Sequence, residues 1–176
     1  ITYEICLVSV QTTCRTLTEL VEVSAPEITA TDDAVAGVDG YLGADDVLTV
    51  FGNDTLNGTT LTDLSQTTLS VVTPAVSIGG GNVPVLDPAD GTVDVPAGTP
   101  AGVYQITYEL CEIVNPTNCD QAVARVTVVA PVVDAVDDSV AGVDGFAGET
   151  GVLQVLDGDT VGGVASTPAD LLSGAA

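Results

Sequence analysis

The chain contains no histidine, lysine, methionine or tryptophan, and its only cationic side chains are Arg15 and Arg125. Without histidine, neither a Ser–His nor a Cys–His nucleophile can be assembled within the chain, and a common zinc ligand is missing. Two carboxylates alone can hydrolyse a glycoside, but such a site normally needs an aromatic-lined cleft. Only four Tyr and two Phe are present, and most of them read as strand or core residues. The composition therefore reads as that of a protein that is not an enzyme. No run of about 20 apolar residues exists, so no segment is suited to cross a bilayer as a helix. The sequence starts at Ile1, within a repeat and without a signal-like segment, which reads as a processed product or a window on a longer protein.

The scarcity of cations leaves 25 acidic residues almost unopposed, for a net charge of −23. Such a charge excludes a nucleic-acid backbone or an anionic membrane as a natural partner and favours cations. An acidic surface that keeps the protein soluble in salt would account for the same imbalance. The chain is nevertheless 45% hydrophobic, with Val, Ile and Leu abundant, and so is no disordered acidic tail.

The hydrophobic residues are organised by repetition. Ile1-Thr-Tyr-Glu-Ile-Cys6 returns as Ile106-Thr-Tyr-Glu-Leu-Cys111, an offset of 106 − 1 = 105 residues, and Cys14 returns as Cys119 at the same offset. Asp32-Asp-Ala-Val-Ala-Gly-Val-Asp-Gly40 returns as Asp137-Asp-Ser-Val-Ala-Gly-Val-Asp-Gly145, with Ser139 for Ala34 the one difference. A fixed long period marks an array of like modules. On this reading residues 1–27 match the end of a repeat, 28–132 form a complete one, and 133–176 match the beginning of the next.

Strand signals dominate. Gly, Pro, Asn and Asp punctuate Val- and Thr-rich stretches, as in an all-β antiparallel sandwich. The expected strands are Ile28–Val35, Val47–Phe51, Leu69–Ile78, Val83–Leu86, Thr92–Val95 and a final hairpin. In that hairpin Tyr104, Ile106, Tyr108 and Leu110 share one face of the first strand, and Ala122, Ala124, Val126 and Val128 share one face of the second. Asn115-Pro-Thr-Asn118 reads as its turn. Gly102-Val-Tyr104 matches the tyrosine corner of immunoglobulin-like sandwiches, without their buried Trp.

The cysteines fall as two C-x7-C pairs, Cys6/Cys14 and Cys111/Cys119. Two thiolates without histidine do not complete a zinc site, and a local disulfide in an oxidising compartment is the favoured reading. If the two cysteines face each other across the hairpin, the bond staples it. Asn53-Asp-Thr55 and Asn57-Gly-Thr59 match the N-glycosylation pattern, but both are read as turns.

The candidate site is acidic. Each repeat opens with a pair, Asp32-Asp33 or Asp137-Asp138, and continues to Asp39 or Asp144 in Gly-Val-Asp-Gly. Gly52-Asn-Asp-Thr-Leu-Asn-Gly58 then follows, echoed by Asp157-Gly-Asp-Thr-Val-Gly-Gly163. Calcium takes about six to eight oxygen ligands, and Gly-rich loops let carboxylates, amides and carbonyls converge on it. Asp32, Asp33, Asn53 and Asp54 are expected at the pole facing the preceding module, with Asp39, Asp45 and Asp46 at the other. Turn formation alone would explain the same residues.

Ala-x-Asp-Asp followed by Val-Leu-x-Val-x-x-x-Asp-Thr resembles the tandem cadherin-like and bacterial immunoglobulin-like repeats of large secreted adhesins. Pro96 to Cys119 is similar to a cysteine-bearing version from bacterial surface proteins. The resemblance implies that Asp32, Asp33, Asn53, Asp54, Asp137, Asp138, Asp157 and Asp159 lie at calcium sites. Gly158 replaces Asn53 in the second copy, which puts that ligand in question there. Repeats, cysteine pairs and incomplete ends together read as an extracellular or cell-surface fibre built by head-to-tail association of copies, or else as the passive stalk of an adhesin. Residues 1–27 and 133–176 could complete one another between copies by strand exchange, although the equivalent of 72–105 would be missing.

Overall fold

A computed structural model describes residues 1–170; residues 171–176, the end of the third expected segment, lie outside it. The described residues are all-β. Thr2–Leu7 (β1) and Val10–Thr18 (β2) pair as an antiparallel hairpin. Ile28–Thr29 (β3), Asp33–Asp39 (β4), Ala44–Thr49 (β5), Thr55–Leu56 (β6), Thr59–Thr60 (β7) and Thr67–Thr73 (β8) follow. Val85–Asp87 (β9), Thr92–Val95 (β10), Gly102–Glu112 (β11) and Cys119–Val129 (β12) come next, and then Val133–Asp134 (β13), Thr160–Val161 (β14) and Val164–Ala165 (β15).

Two sheets face each other. One has the order β4-β12-β11-β8 and the other β5-β10-β9, while a short sheet β3-β6-β7 closes one end. Alternation along β11 and β12 decides what lies between them. Tyr104, Ile106, Tyr108 and Leu110 are at most 2% exposed, and the buried Val126, Ala124 and Ala122 of β12 stand opposite the first three. Val93, Val95 and Leu86 close the core from the second sheet. Burial of each large side chain contributes roughly 1.5–3 kcal/mol, so this one hairpin carries a large share of the core's stabilisation. The Tyr104 hydroxyl donates to the Pro100 carbonyl at 2.8 Å, the bond that defines a tyrosine corner.

The expected final hairpin and Thr92–Val95 are present. Other strands differ. The segment 28–35, expected as one strand, is two: β3 joins the small end sheet, while β4 crosses to the large sheet and runs parallel to β12. The sandwich is therefore not wholly antiparallel. Gly37, at φ +81°, is the extra residue where pairing shifts from Ala36↔Thr127 to Val38↔Val128. It is a bulge that lets the strand follow its new neighbour. Gly40 follows the same strand, and a Cβ there would lie 2.1 Å from the Thr99 carbonyl oxygen, so backbone passes backbone.

The segment expected over 69–78 begins at Thr67 and stops at Thr73, because Pro74 can give no ladder hydrogen bond. The segment expected over 47–51 shifts to 44–49, with Phe51 in the turn. The loop expected at 52–58 instead contains β6, which pairs with β3 and β7.

The same local structure recurs 105 residues later. Sheet β13-β14-β15 has the order and register of β3-β6-β7. Leu61 N–H donates to Asp54 O at 2.9 Å, and Ser166 N–H donates to Asp159 O at 2.9 Å. At the other end Cys6 opposes Cys14 as Cys111 opposes Cys119, and both pairs are disulfide-bonded. Their Cα separations, 4.0 and 4.1 Å, are those of closely spaced cross-strand partners, where a disulfide is short enough to form.

Candidate functional site

The acidic cluster lies where β3 gives way to β4. At this switch the backbone leaves one ladder before it enters the next, so its N–H groups need other acceptors. Carboxylates supply them. Ala30 N–H donates to Asp120 Oδ2 at 2.9 Å, and Thr31 N–H donates to Asp54 Oδ1 at 2.7 Å. Val123 N–H, on the neighbouring β12, donates to Asp32 Oδ1 at 2.9 Å. The carboxylates thus act first as acceptors that hold the sheet switch in place.

The centre of the cluster is the buried Tyr108 hydroxyl. It lies 2.7 Å from Val50 O, 2.9 Å from Asp33 Oδ2, 3.1 Å from Thr31 O and 3.3 Å from Asp54 Oδ2. One hydroxyl proton can satisfy one of these four oxygens. Asp54 is wholly buried, and burial, reinforced by the charge of Asp33, pushes its carboxyl up to about 6. Burial also raises Asp33, against the hydrogen bonds of Tyr108 and Asn53 that favour its charge. Tyr108 is held in its neutral form, by burial first and then by the two carboxylates. A site with these properties draws in positive charge. A proton on Asp54 would let that carboxyl donate to the Tyr108 oxygen while Tyr108 donates to Val50.

A hard cation suits the same donors. Asp33 and Asp54 carboxylates, the Thr31 and Val50 carbonyls and the nearby Asn53 amide, whose Nδ2 reaches Asp32 O at 3.4 Å, are the oxygen-rich set calcium prefers. Their chemistry and their uncompensated charge fit the ion. Among the described residues, however, Asp32, Asp33 and Asp54 do not bring three carboxylate oxygens within 4.8 Å of one another. Asp32 Oδ1 and Asp54 Oδ1 are already engaged by backbone N–H groups.

The other expected ligands lie apart. Asp39, at the far end of β4, accepts the N–H groups of Tyr41 and Leu42 at 2.8 and 3.2 Å. Asp144 repeats this with Phe146 and Ala147, and those two bonds hold it below the usual carboxylate range. Asp137 and Asp157 are exposed and Asp138 is half-buried. Asp159 is 8% exposed and accepts Val136 N–H at 2.7 Å, the counterpart of Asp54 with Thr31. The four-residue set Asp32, Asp33, Asn53 and Asp54 is thus brought together; Asp39 is not part of it. Sequence reasoning missed Tyr108 and Asp120. The signal for Tyr108 was its inward-facing position, since a buried phenol needs a partner for its hydroxyl.

A contact joins the two copies. Tyr41 Oη donates to Asp170 Oδ1 at 2.8 Å, and that carboxylate raises the phenol above its ordinary value. Gly162 packs beside it, where an added Cβ would meet Asp39 Oδ2 at 3.4 Å and Pro131 Cβ at 3.5 Å.

Each cysteine pair has a glutamate nearby, Glu4 or Glu109, but the sulfurs are bonded to one another and offer no thiolate to a metal. Fold and staples together define an immunoglobulin-like β-sandwich with a stapled terminal hairpin. No family model matches the chain, and no curated protein matches it. Among solved structures it is similar to "Protocadherin Gamma B2 extracellular cadherin domains 3-6", at 15% identity and a TM-score of 0.37, over 64% of this chain and 25% of that one. The chain thus spans about a quarter of that structure's length. Nothing about binding or assembly follows from that likeness.

Proposed function

We propose that the protein is an extracellular structural protein in which immunoglobulin-like modules, divided as 1–27, 28–132 and 133–176, are joined end to end into a fibre. Disulfides persist in oxidising compartments, which supports a location outside the cell or on its surface. The observation that carries the reading is the recurrence of one hydrogen-bond set at a fixed offset. Thr31 N–H on Asp54 becomes Val136 N–H on Asp159, and Tyr41 bridges the two copies through Asp170. A geometry repeated this closely suits an array that transmits load from module to module.

Calcium is the proposed stiffening agent. It would be held by Asp32, Asp33, Asn53 and Asp54, offset the cluster's charge, and lower the self-repulsion of a chain carrying −23. The residues expected to respond are Asp32, Asp33, Asn53 and Asp54, with Asp137, Asp138 and Asp159 in the following copy. The partner is a second copy of the same chain, joined head to tail. The alternative is the passive stalk of an adhesin of the bacterial type. Electron microscopy of the purified chain in millimolar calcium tests the reading. Regular filaments are expected; isolated short rods under all conditions would leave the stalk.

A further inference from the structure

The outward face of the β11–β12 hairpin carries a second set of metal-ligating side chains, separate from the acidic cluster. Alternation puts Glu109 and Cys111 on one face of β11, and the ladder sets Glu109 opposite Gln121 and Cys111 opposite Cys119. One carboxylate oxygen of Glu109 and the two sulfurs lie within 4.8 Å of one another. The carboxylate is held in place, because Gln121 Nε2 donates to Glu109 Oε1 at 2.8 Å. Its other oxygen, Oε2, lies 3.6 Å from Cys111 Sγ. A sulfur in a disulfide carries no proton, so this last contact is not a hydrogen bond. Oε2 faces the sulfur pair without receiving a proton from it.

Glu4, Cys6 and Cys14 converge in the same way at the matching repeat positions. Among the described residues these are the two places where three such side chains come this close, which Asp32, Asp33 and Asp54 do not. Two sulfurs and one carboxylate are a donor set for zinc or cadmium rather than calcium, which prefers oxygen alone. Three protein ligands leave a fourth, tetrahedral position for water. In the oxidised pair the sulfurs carry no charge, and it is the thiolate that binds a metal. The ladder from Gly102↔Val128 to Cys111↔Cys119 holds the two side chains opposed whether or not they are bonded.

We propose that Cys111 and Cys119 in their reduced form, together with Glu109, bind a thiophilic divalent cation such as zinc. A dithiol reductant opens the site. One of its thiolates attacks a chain sulfur and displaces the other as thiolate; its second thiolate then closes the reductant into a cyclic disulfide. Two electrons pass to the chain, and the metal ion takes the place of the two thiol protons, which leave to solvent. Disulfide and metal are thus alternative staples for one hairpin, the first in oxidising surroundings and the second in reducing ones. The site uses none of the residues assigned to calcium and does not depend on assembly between copies.

Cadmium tests the site, because its thiolate complexes absorb in the ultraviolet by charge transfer. The full chain carrying Cys6→Ala and Cys14→Ala, which isolates the second pair, is reduced with a dithiol, freed of reductant under nitrogen and titrated with cadmium. The reduced chain is expected to bind one ion with charge-transfer absorption and to melt at a higher temperature when loaded. The oxidised chain should show no such absorption. Glu109→Gln, on the outer face of the sheet, should weaken cadmium binding about tenfold or more, since even outlying partners of a metal site have effects on that scale. Absence of the absorption from the reduced chain overturns the proposal. So does binding with no rise in the melting midpoint, the behaviour of an unstructured dithiol. Equal affinity in Glu109→Gln overturns the three-ligand site.

Discussion

Tyr108 and Asp33 stand 75 residues apart in the chain, yet the phenol oxygen of one lies 2.9 Å from a carboxylate oxygen of the other. The bond ties β11, one of the two longest core strands, to the first residue of β4, which has just changed sheets. Tyr108→Phe should therefore loosen the switch while leaving the ring packed. Removing the donor that these four oxygens share is expected to destabilise the fold by about 1–3 kcal/mol. Thermal unfolding followed by circular dichroism measures this, and an unchanged midpoint would show that the hydroxyl is dispensable.

The acidity of Asp54 sets a pH dependence. Its carboxyl is pushed up to about 6 in the folded chain, from 3.8 when unfolded, by burial first and by the charge of Asp33. The folded state thus binds this proton more tightly than the unfolded state does. The resulting stabilisation is fully present below about pH 4 and is lost as pH rises through 6. In metal-free buffer the chain should melt at a higher temperature at pH 5 than at pH 7.5. Asp54→Asn should flatten that difference; a variant that keeps the full slope would place the titrating group elsewhere.

Calcium should offset the charge of the cluster. A ligand bound only to the folded state stabilises it by about 2.7 kcal/mol at one hundred times its dissociation constant. Melting at pH 7.5 is expected to shift upward by several degrees between EDTA and millimolar calcium. Asp33→Asn should abolish the shift. Identical melting curves in EDTA and calcium would remove the ion from the account of stiffness.

The staples differ in consequence although their geometry is shared. Closing the short loop between Cys111 and Cys119 contributes about 2–3 kcal/mol on the chain-entropy estimate. It braces the hairpin that carries Tyr104, Ile106, Tyr108 and Leu110. Replacing both by Ala should lower the midpoint of the main transition. Replacing Cys6 and Cys14 should not, because β1 and β2 are exposed along their whole length. Equal losses from the two double variants would mean that the first hairpin is part of the same cooperative unit.

Much of this was legible in the residues and some was not. The 105-residue period, the faces of β11 and β12 and the pairing of cysteines across a hairpin follow from local rules. Side-chain alternation has a period of two, and a turn such as Asn115 to Asn118 fixes which residues oppose each other. Asp32, Asp33, Asn53 and Asp54 were also identifiable as a group, because short polar residues cluster in the loops at one end of a sandwich. Their main employment was not. Whether a carboxylate accepts from Thr31, Val123 or a metal ion depends on which backbone N–H groups lose their ladder partners. That in turn depends on β3 and β4 joining different sheets.

The amino-acid sequence by itself determined the repeat, the all-β character, the covalent staples and the excess of negative charge, since each is a matter of composition or of neighbours close along the chain. Only the tertiary structure decided that β4 runs parallel to β12, that Asp120 and Tyr108 belong with the acidic pair, and that Tyr41 meets Asp170. These contacts join residues dozens to more than a hundred positions apart, and nothing in local propensity distinguishes a buried acceptor from an exposed one until the chain has packed around it.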